Sequence, residues 1–273
     1  MKVKSIALKD RFPFLGENGC EPVLDVYTPK SLYPERNRAG LLILPGGGYG
    51  ECSEREGEPV AVEFLDTDME VFVLRYSVAP NRFPTQLRQV AAAVEVIRGE
   101  YLAAEAPLIL MGFSAGGHLA ANYANGYDWP EVRKVFPDSK SVQGTILCYP
   151  VITAQPGHTH EGSFENLLGR KERTQAESDW FSCEKLVTDR TPPAFLWQTA
   201  EDTVVPVENS LRYAAALADK HIPFELHIYP EGWHGMSTVD SLTCEGLTGA
   251  QRRAANWKKD AKEWLNMTYG KDV

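Results

Sequence analysis

Three residue types, met in one order along the chain, could together activate a hydroxyl for attack on a carbonyl. The first is a serine. In Leu108–Ala120 (LILMGFSAGGHLA) a strand-like apolar run ends in G-x-S-x-G and passes at once into a helix-like run. A serine on so sharp a strand-to-helix turn sits in strained backbone with its hydroxyl exposed. Glycines two residues to either side, here Gly112 and Gly116, let the chain pass close to itself. G-x-S-x-G alone also fits a glycine-rich turn around a buried serine; its place between strand and helix favours Ser114 as a nucleophile.

A serine hydroxyl attacks poorly until a base takes its proton, and that base needs an acid to orient it. Downstream, the apolar run "AFLWQT" leads into "AEDTVVP", and "FELHIYP" leads into "EGWHG". Asp202 and His234 therefore occupy post-strand loops. In a parallel sheet such loops open at the C-terminal edge of the strands, where ligands bind. Glu201 is the competing acid, and the D-x-x-V-P run favours Asp202. His118, four residues past Ser114, is expected to pack or hydrogen-bond beneath the site. His227 lies within a strand and His221 in a surface loop. His158 and His160 form an H-x-H pair too weak to read as a metal site.

A second motif needs its own explanation. Leu41–Gly50 (LLILPGGGYG) runs four apolar residues into three consecutive glycines. A carbonyl attacked by Ser114 becomes a tetrahedral oxyanion. Backbone N–H groups fixed in place beforehand stabilise it best. The N–H of Ala115 is one donor. Gly47 and Gly48 supply the others, from a loop where a side chain would block the approach. A phosphate cradle is the rival, but the run lacks a G-K-[ST] ending and the G-x-G-x-x-G spacing.

These positions require a scaffold, and the chain supplies one. Leu41–Leu44, Val71–Tyr76, Leu108–Met111, Gly144–Cys148, Ala194–Gln198 and Phe224–Tyr229 read as strands, near-continuously apolar as expected of strands covered on both faces. Between them lie helical patterns: Leu87, Val90, Val94 and Ile97 share a face; His118–Ala124 is helical; Val207, Leu211, Ala214 and Ala218 mark a third helix, and Trp257, Ala261, Trp264 and Leu265 a fourth. This alternation predicts a mostly parallel α/β sheet. Thr153–Thr191 breaks the rhythm, being long and polar. It is expected to be an inserted helical cap over one end of the sheet. We read residues 1–273 as a single domain.

The composition narrows the partners. Of 273 residues 43% are hydrophobic, enough for a sizeable core. A formal net charge of −9, with no run of Lys or Arg, argues against nucleic acid and anionic membrane. Five scattered cysteines without a C-x-x-C pair argue against a disulfide scaffold or zinc site. No secretory signal or bilayer-spanning run is read, and the expected compartment is cytoplasmic.

Taken together, "PGGGYG", "RYSVAPNRFPTQLRQVAAAVEVIR", "GFSAGGHLA", "AEDTVVP" and "EGWHG" resemble the α/β-hydrolase esterases related to the hormone-sensitive-lipase and acetyl-xylan-esterase groups. The resemblance runs from about Leu41 to His234. It departs from the usual H-G-G-G motif at Pro45, a variant similar to sugar-deacetylating members. It also departs at Arg75-Tyr76, where the family's Y-R order is exchanged, in a segment read as structural. The resemblance implies two-step acyl transfer by Ser114, His234 and Asp202, without cofactor or metal. The implied substrates are small acetyl esters such as acetylated xylo-oligosaccharides. Tyr49 and Trp233, flanking these residues, are expected to line the pocket. An arylformamidase on the same triad, a non-catalytic receptor on the same scaffold and a homo-oligomer all stay open.

Overall fold

The computed structural model describes residues 2–28, 38–67 and 69–270. Its centre is an eight-stranded sheet: β1 (Lys2–Ala7), β2 (Val23–Thr28), β3 (Gly40–Leu44), β4 (Glu70–Arg75), β5 (Leu108–Phe113), β6 (Gly144–Cys148), β7 (Ala194–Thr199) and β8 (Phe224–Tyr229), in the spatial order β1-β2-β4-β3-β5-β6-β7-β8. From β4 through β8 all pairs are parallel; β1 and β2 join antiparallel at one edge. The six parallel strands coincide with the apolar runs of the sequence.

Side chains alternate across each strand, so a run apolar at every position serves two cores. Leu42 and Leu44 of β3 face one core with Phe72, Leu110 and Leu196. That core is covered by the helices Thr85–Glu100, Ala115–Gly126 and Glu208–Asp219. Leu41 and Ile43 face the other with Val71, Ile109, Met111 and Trp197, beneath the C-terminal helix Asn256–Tyr269. Leu87, Val90, Val94 and Ile97 are buried as their spacing predicts, and so are Trp257, Ala261, Trp264 and Leu265.

The face of the helix Glu208–Asp219 is a correction. Leu211 and Ala218 are exposed, and only Ala214 of the expected stripe is buried. The inward face is Ser210, Tyr213, Ala214 and Leu217, with Asn209. Two of these are polar because they have partners. Asn209 Oδ1 accepts from the N–H groups of Ile152 and Thr153, and Ser210 donates to Gln198 Oε1. Burial of a hydrogen-bonded polar group costs little, which a purely apolar pattern overlooks.

Between β6 and β7 the chain forms two short helices, Glu161–Leu168 and Gln175–Phe181. The second opens on a capping box between Thr174 and Glu177. Among the described residues no helix is long and apolar enough to cross a membrane.

Candidate active site

β5 delivers Ser114 at its C-terminal end, and the helix Ala115–Gly126 starts on the next residue. Ser114 has φ 51° and ψ −118°, a region costly for any residue with a side chain. The strain is held from several sides. Ser114 N–H donates to Cys148 O, and Ser114 O accepts from the N–H groups of Gly117, His118 and Val151. The neighbouring glycines permit this crossing: a Cβ on Gly116 would run into the carbonyls of Leu44 and Pro45, and one on Gly112 into the backbone of Gly116.

The loops after β7 and β8 bring the other two residues to this turn. His234 Nδ1 stands 2.7 Å from Asp202 Oδ2, and His234 Nε2 stands 2.8 Å from Ser114 Oγ. With Nδ1–H donating to the carboxylate, Nε2 is left to accept from the serine hydroxyl. Asp202 is 6% exposed, and its second oxygen accepts from the N–H groups of Val204 and Val205. That turn fixes the carboxylate before the histidine meets it. Glu201, by contrast, points to solvent.

The glycine loop after β3 lies against the same serine. A Cβ on Gly46 would stand 2.8 Å from Ser114 Cβ. Gly47 has φ 114° and Gly48 φ 60°; a Cβ on Gly47 would press into the main chain of Glu51. Neither the Gly47 nor the Gly48 N–H donates to any described residue, whereas Gly46 N–H is taken by Glu56 Oε2 at 2.7 Å. The loop is buttressed without a histidine at position 45: Tyr76 hydroxyl donates to Pro45 O at 2.6 Å, and Asn166 Nδ2 donates to Gly48 O at 2.9 Å.

Tyr49 stands differently from its expected place in the pocket wall. It is 1% exposed, and its hydroxyl lies 2.7 Å from His118 Nδ1. Burial holds the Tyr49 phenol well above its ordinary range, so it stays protonated and donates. His118 then donates Nε2–H to Phe181 O. Burial pushes His118 down to about 4, leaving it neutral beneath the site. Trp233, beside His234, is 39% exposed.

Three side chains beside the serine and the glycine loop are not expected there from the sequence. Tyr149, the residue after β6, sets its ring at 72° to His234 with centroids 5.1 Å apart, and its hydroxyl donates to Glu56 Oε1 at 2.7 Å. Its position directly past a strand's C-terminal end was the available clue. Glu56 is 3% exposed, at the end of the short turn Glu54–Glu56. His160 sits beside the glycine loop, its Cε1 3.6 Å from where a Gly48 Cβ would lie, with Nδ1 2.8 Å from Ser163 Oγ. Burial first, and then the charge on His234, lower its proton affinity. Among the described residues no three His, Cys, Asp or Glu side chains gather as a metal site.

A mostly parallel sheet carrying a serine elbow, with an acid and a histidine on the next strands' loops, defines an α/β-hydrolase. Residues 24–217 match the BD-FAE family model, and the chain belongs to that family. It is 40% identical over 224 residues to endo-1,4-beta-xylanase B of Butyrivibrio fibrisolvens, covering 77% of this chain and 34% of that protein. It is 29% identical over 208 residues to the acetylxylan esterase of Xylanibacter ruminicola, covering 73% of this chain and 42% of that protein. The chain thus spans less than half the length of these two relatives.

Among solved structures, the acetyl ester-xyloside bifunctional hydrolase of Caldicellulosiruptor lactoaceticus superposes with a TM-score of 0.84 at 31% identity, over 98% of this chain and 97% of that one. The carboxylesterase Cest-2923 of Lactobacillus plantarum superposes at 0.80 with 26% identity, over all of both chains. The proteins this chain resembles thus include a xylanase, an acetylxylan esterase, an acetyl ester-xyloside hydrolase and a carboxylesterase.

Proposed function

We propose that the chain is a serine esterase that removes acetyl groups from carbohydrate esters of the acetylated xylo-oligosaccharide kind. The observation that carries the chemistry is the unbroken hydrogen-bonded line from Asp202 through His234 to Ser114. Ser114 Oγ attacks the ester carbonyl while His234 Nε2 takes the hydroxyl proton. The oxyanion forms facing the N–H groups of Gly47, Gly48 and Ala115; such a donor is typically worth about 3–4 kcal/mol of barrier. His234 passes its proton to the departing alkoxide. Water, losing a proton to His234, then attacks the acyl-serine; His234 returns that proton to Ser114 Oγ as the acyl bond breaks, freeing acetic acid, which ionises to acetate.

The sugar assignment is supported by the names of the two xylan-related relatives and of the bifunctional neighbour. The segment 153–191 acts in this reading as the cap that shapes the pocket. His160 is the polar side chain it offers to a sugar hydroxyl, and Trp233 an apolar surface for the sugar ring. The test is acetate release from acetylated xylo-oligosaccharides, with Ser114→Ala as control and p-nitrophenyl acetate as reference. Serine-dependent release rivalling the reference is expected. Brisk hydrolysis of the reference with negligible release from the oligosaccharide would sink the sugar assignment and keep the esterase.

A further inference from the structure

We infer that Glu56 is a positioning residue of this site: a buried carboxylate that ties the glycine loop to the loop of His234 through Tyr149, and sets a negative charge near the imidazole. The inference rests on the serine-esterase reading. One carboxyl oxygen accepts from Gly46 N–H and the other from the Tyr149 hydroxyl, each at 2.7 Å. Tyr149 Oη in turn accepts from Ser237 N–H at 3.0 Å, three residues past His234. The Tyr149 ring stands edge-on to the imidazole. Two loops that must keep one geometry, one facing the oxyanion and one carrying the base, are thus fastened through the Glu56–Tyr149 pair.

The direction of the hydrogen bonds bears on its charge. Gly46 N–H can only donate, and the Tyr149 hydroxyl, whose oxygen accepts from Ser237 N–H, directs its own hydrogen to Glu56. Both carboxyl oxygens are therefore acceptors, the pattern of an ionised group. Burial pushes the Glu56 carboxyl up. The donors Tyr149 and Gly46, and the positive charges of His234 and Arg55, offset part of this, and the carboxyl stays above its ordinary range. Tyr76, Cys52 and Cys148 are the other titratable groups that feel it. Burial holds each of them in its neutral form, Cys52 being pushed up to about 12. Glu56 is then the buried anion of this side of the site, as Asp202 is of the other. When His234 becomes imidazolium in the transition state, both charges favour it.

The test compares wild type, Glu56→Gln and Tyr149→Phe on p-nitrophenyl acetate, with Ser114→Ala as the blank. It records kcat, KM and the pH dependence of kcat/KM, and follows the His234 Cε1–H resonance through its titration by NMR. Glutamine keeps the size but offers one acceptor for two donors and no charge. Its kcat is expected to fall about tenfold or more with KM within about twofold. Removing a negative charge destabilises the imidazolium. The acid limb and the imidazole midpoint therefore move to lower pH. Tyr149→Phe cuts the link but keeps the charge, so kcat falls while the midpoint moves less.

Wild-type kcat and midpoint in Glu56→Gln would overturn the inference. So would a loss of kcat with the midpoint unmoved, which would make Glu56 a structural brace only. The NMR midpoint needs no turnover, so it stays readable even if Ser114→Ala kept its activity, the result that would defeat the serine reading instead.

Discussion

The side-chain amide of Asn166 donates to the carbonyl oxygen of Gly48 at 2.9 Å, joining the helix Glu161–Leu168 to the glycine loop. This fixes a residue at φ 60° whose N–H, in the proposed mechanism, faces the oxyanion before charge develops there. Asn166→Ala is expected to lower kcat about tenfold with a small change in Tm, and Asn166→Asp to do the same, because a carboxylate cannot donate. Steady-state kinetics on p-nitrophenyl acetate measure this. Full activity in both variants would show that the loop keeps its shape unaided.

In the proposed mechanism the serine, histidine and aspartate act as a unit, so their losses do not add. Ser114→Ala and His234→Ala are each expected to remove about 10⁴-fold of kcat while the circular dichroism spectrum and Tm stay close to wild type. Asp202→Asn should also be severe, since the amide cannot accept from Nδ1–H while keeping its contacts to Val204 and Val205. Glu201→Gln should be silent, as Glu201 faces solvent. The reverse pattern, a silent Asp202→Asn and a damaging Glu201→Gln, would transfer the acid to Glu201.

How much of this was legible in the chain depended on how local the signal was. The six parallel strands are short, largely apolar runs bounded by turn residues, and the central ones, β3, β5, β6 and β7, are buried along their whole length, whereas β8 at the sheet edge leaves Phe224 and Ile228 exposed. β1 and β2 escaped because their patterns are mixed: Lys2, Lys4 and Ser5 interrupt the first, and Asp25, hydrogen-bonded to Ser5 and Arg75, the second. The elbow around Ser114 was legible because its geometry demands small residues at fixed offsets. Tyr49 was misread because proximity in sequence to a functional loop says nothing of which way a side chain turns. Glu56 and Tyr149 could not be paired at all: their contact joins residues 93 apart in sequence, and only the folded sheet creates it.

His160 reaches the glycine loop with Nδ1 occupied by Ser163 and Nε2 without a hydrogen-bond partner among the described residues. With its proton affinity lowered by burial, the ring is neutral at neutral pH and can share a hydrogen bond with a sugar hydroxyl. His160→Ala is expected to raise KM for acetylated xylo-oligosaccharide about tenfold while KM for p-nitrophenyl acetate changes less than about twofold. Equal effects on the two substrates would mean that His160 shapes the loop and does not recognise sugar.

His118 gives the fold a dependence on pH that is separate from catalysis. Its value in the folded chain is about 4, against 6.5 for the free side chain, because burial disfavours the charged ring. The unfolded chain therefore binds this proton below pH 6.5 while the folded chain resists it. Stability is unaffected above that pH, falls as pH drops from 6.5 toward 4, and by then has lost about 3 kcal/mol on this account. Glutamine can take both of the ring's hydrogen bonds, accepting from Tyr49 hydroxyl and donating to Phe181 O, without a proton to gain. Urea unfolding of wild type and His118→Gln at steps from pH 7 to pH 4 isolates the difference, since the carboxylates titrate alike in both. The two should lie close at pH 7, with the variant falling away more slowly below pH 6.5. Parallel curves down to pH 4 would mean that the buried ring accepts its proton in place, and that Tyr49 and Phe181 do not hold it neutral.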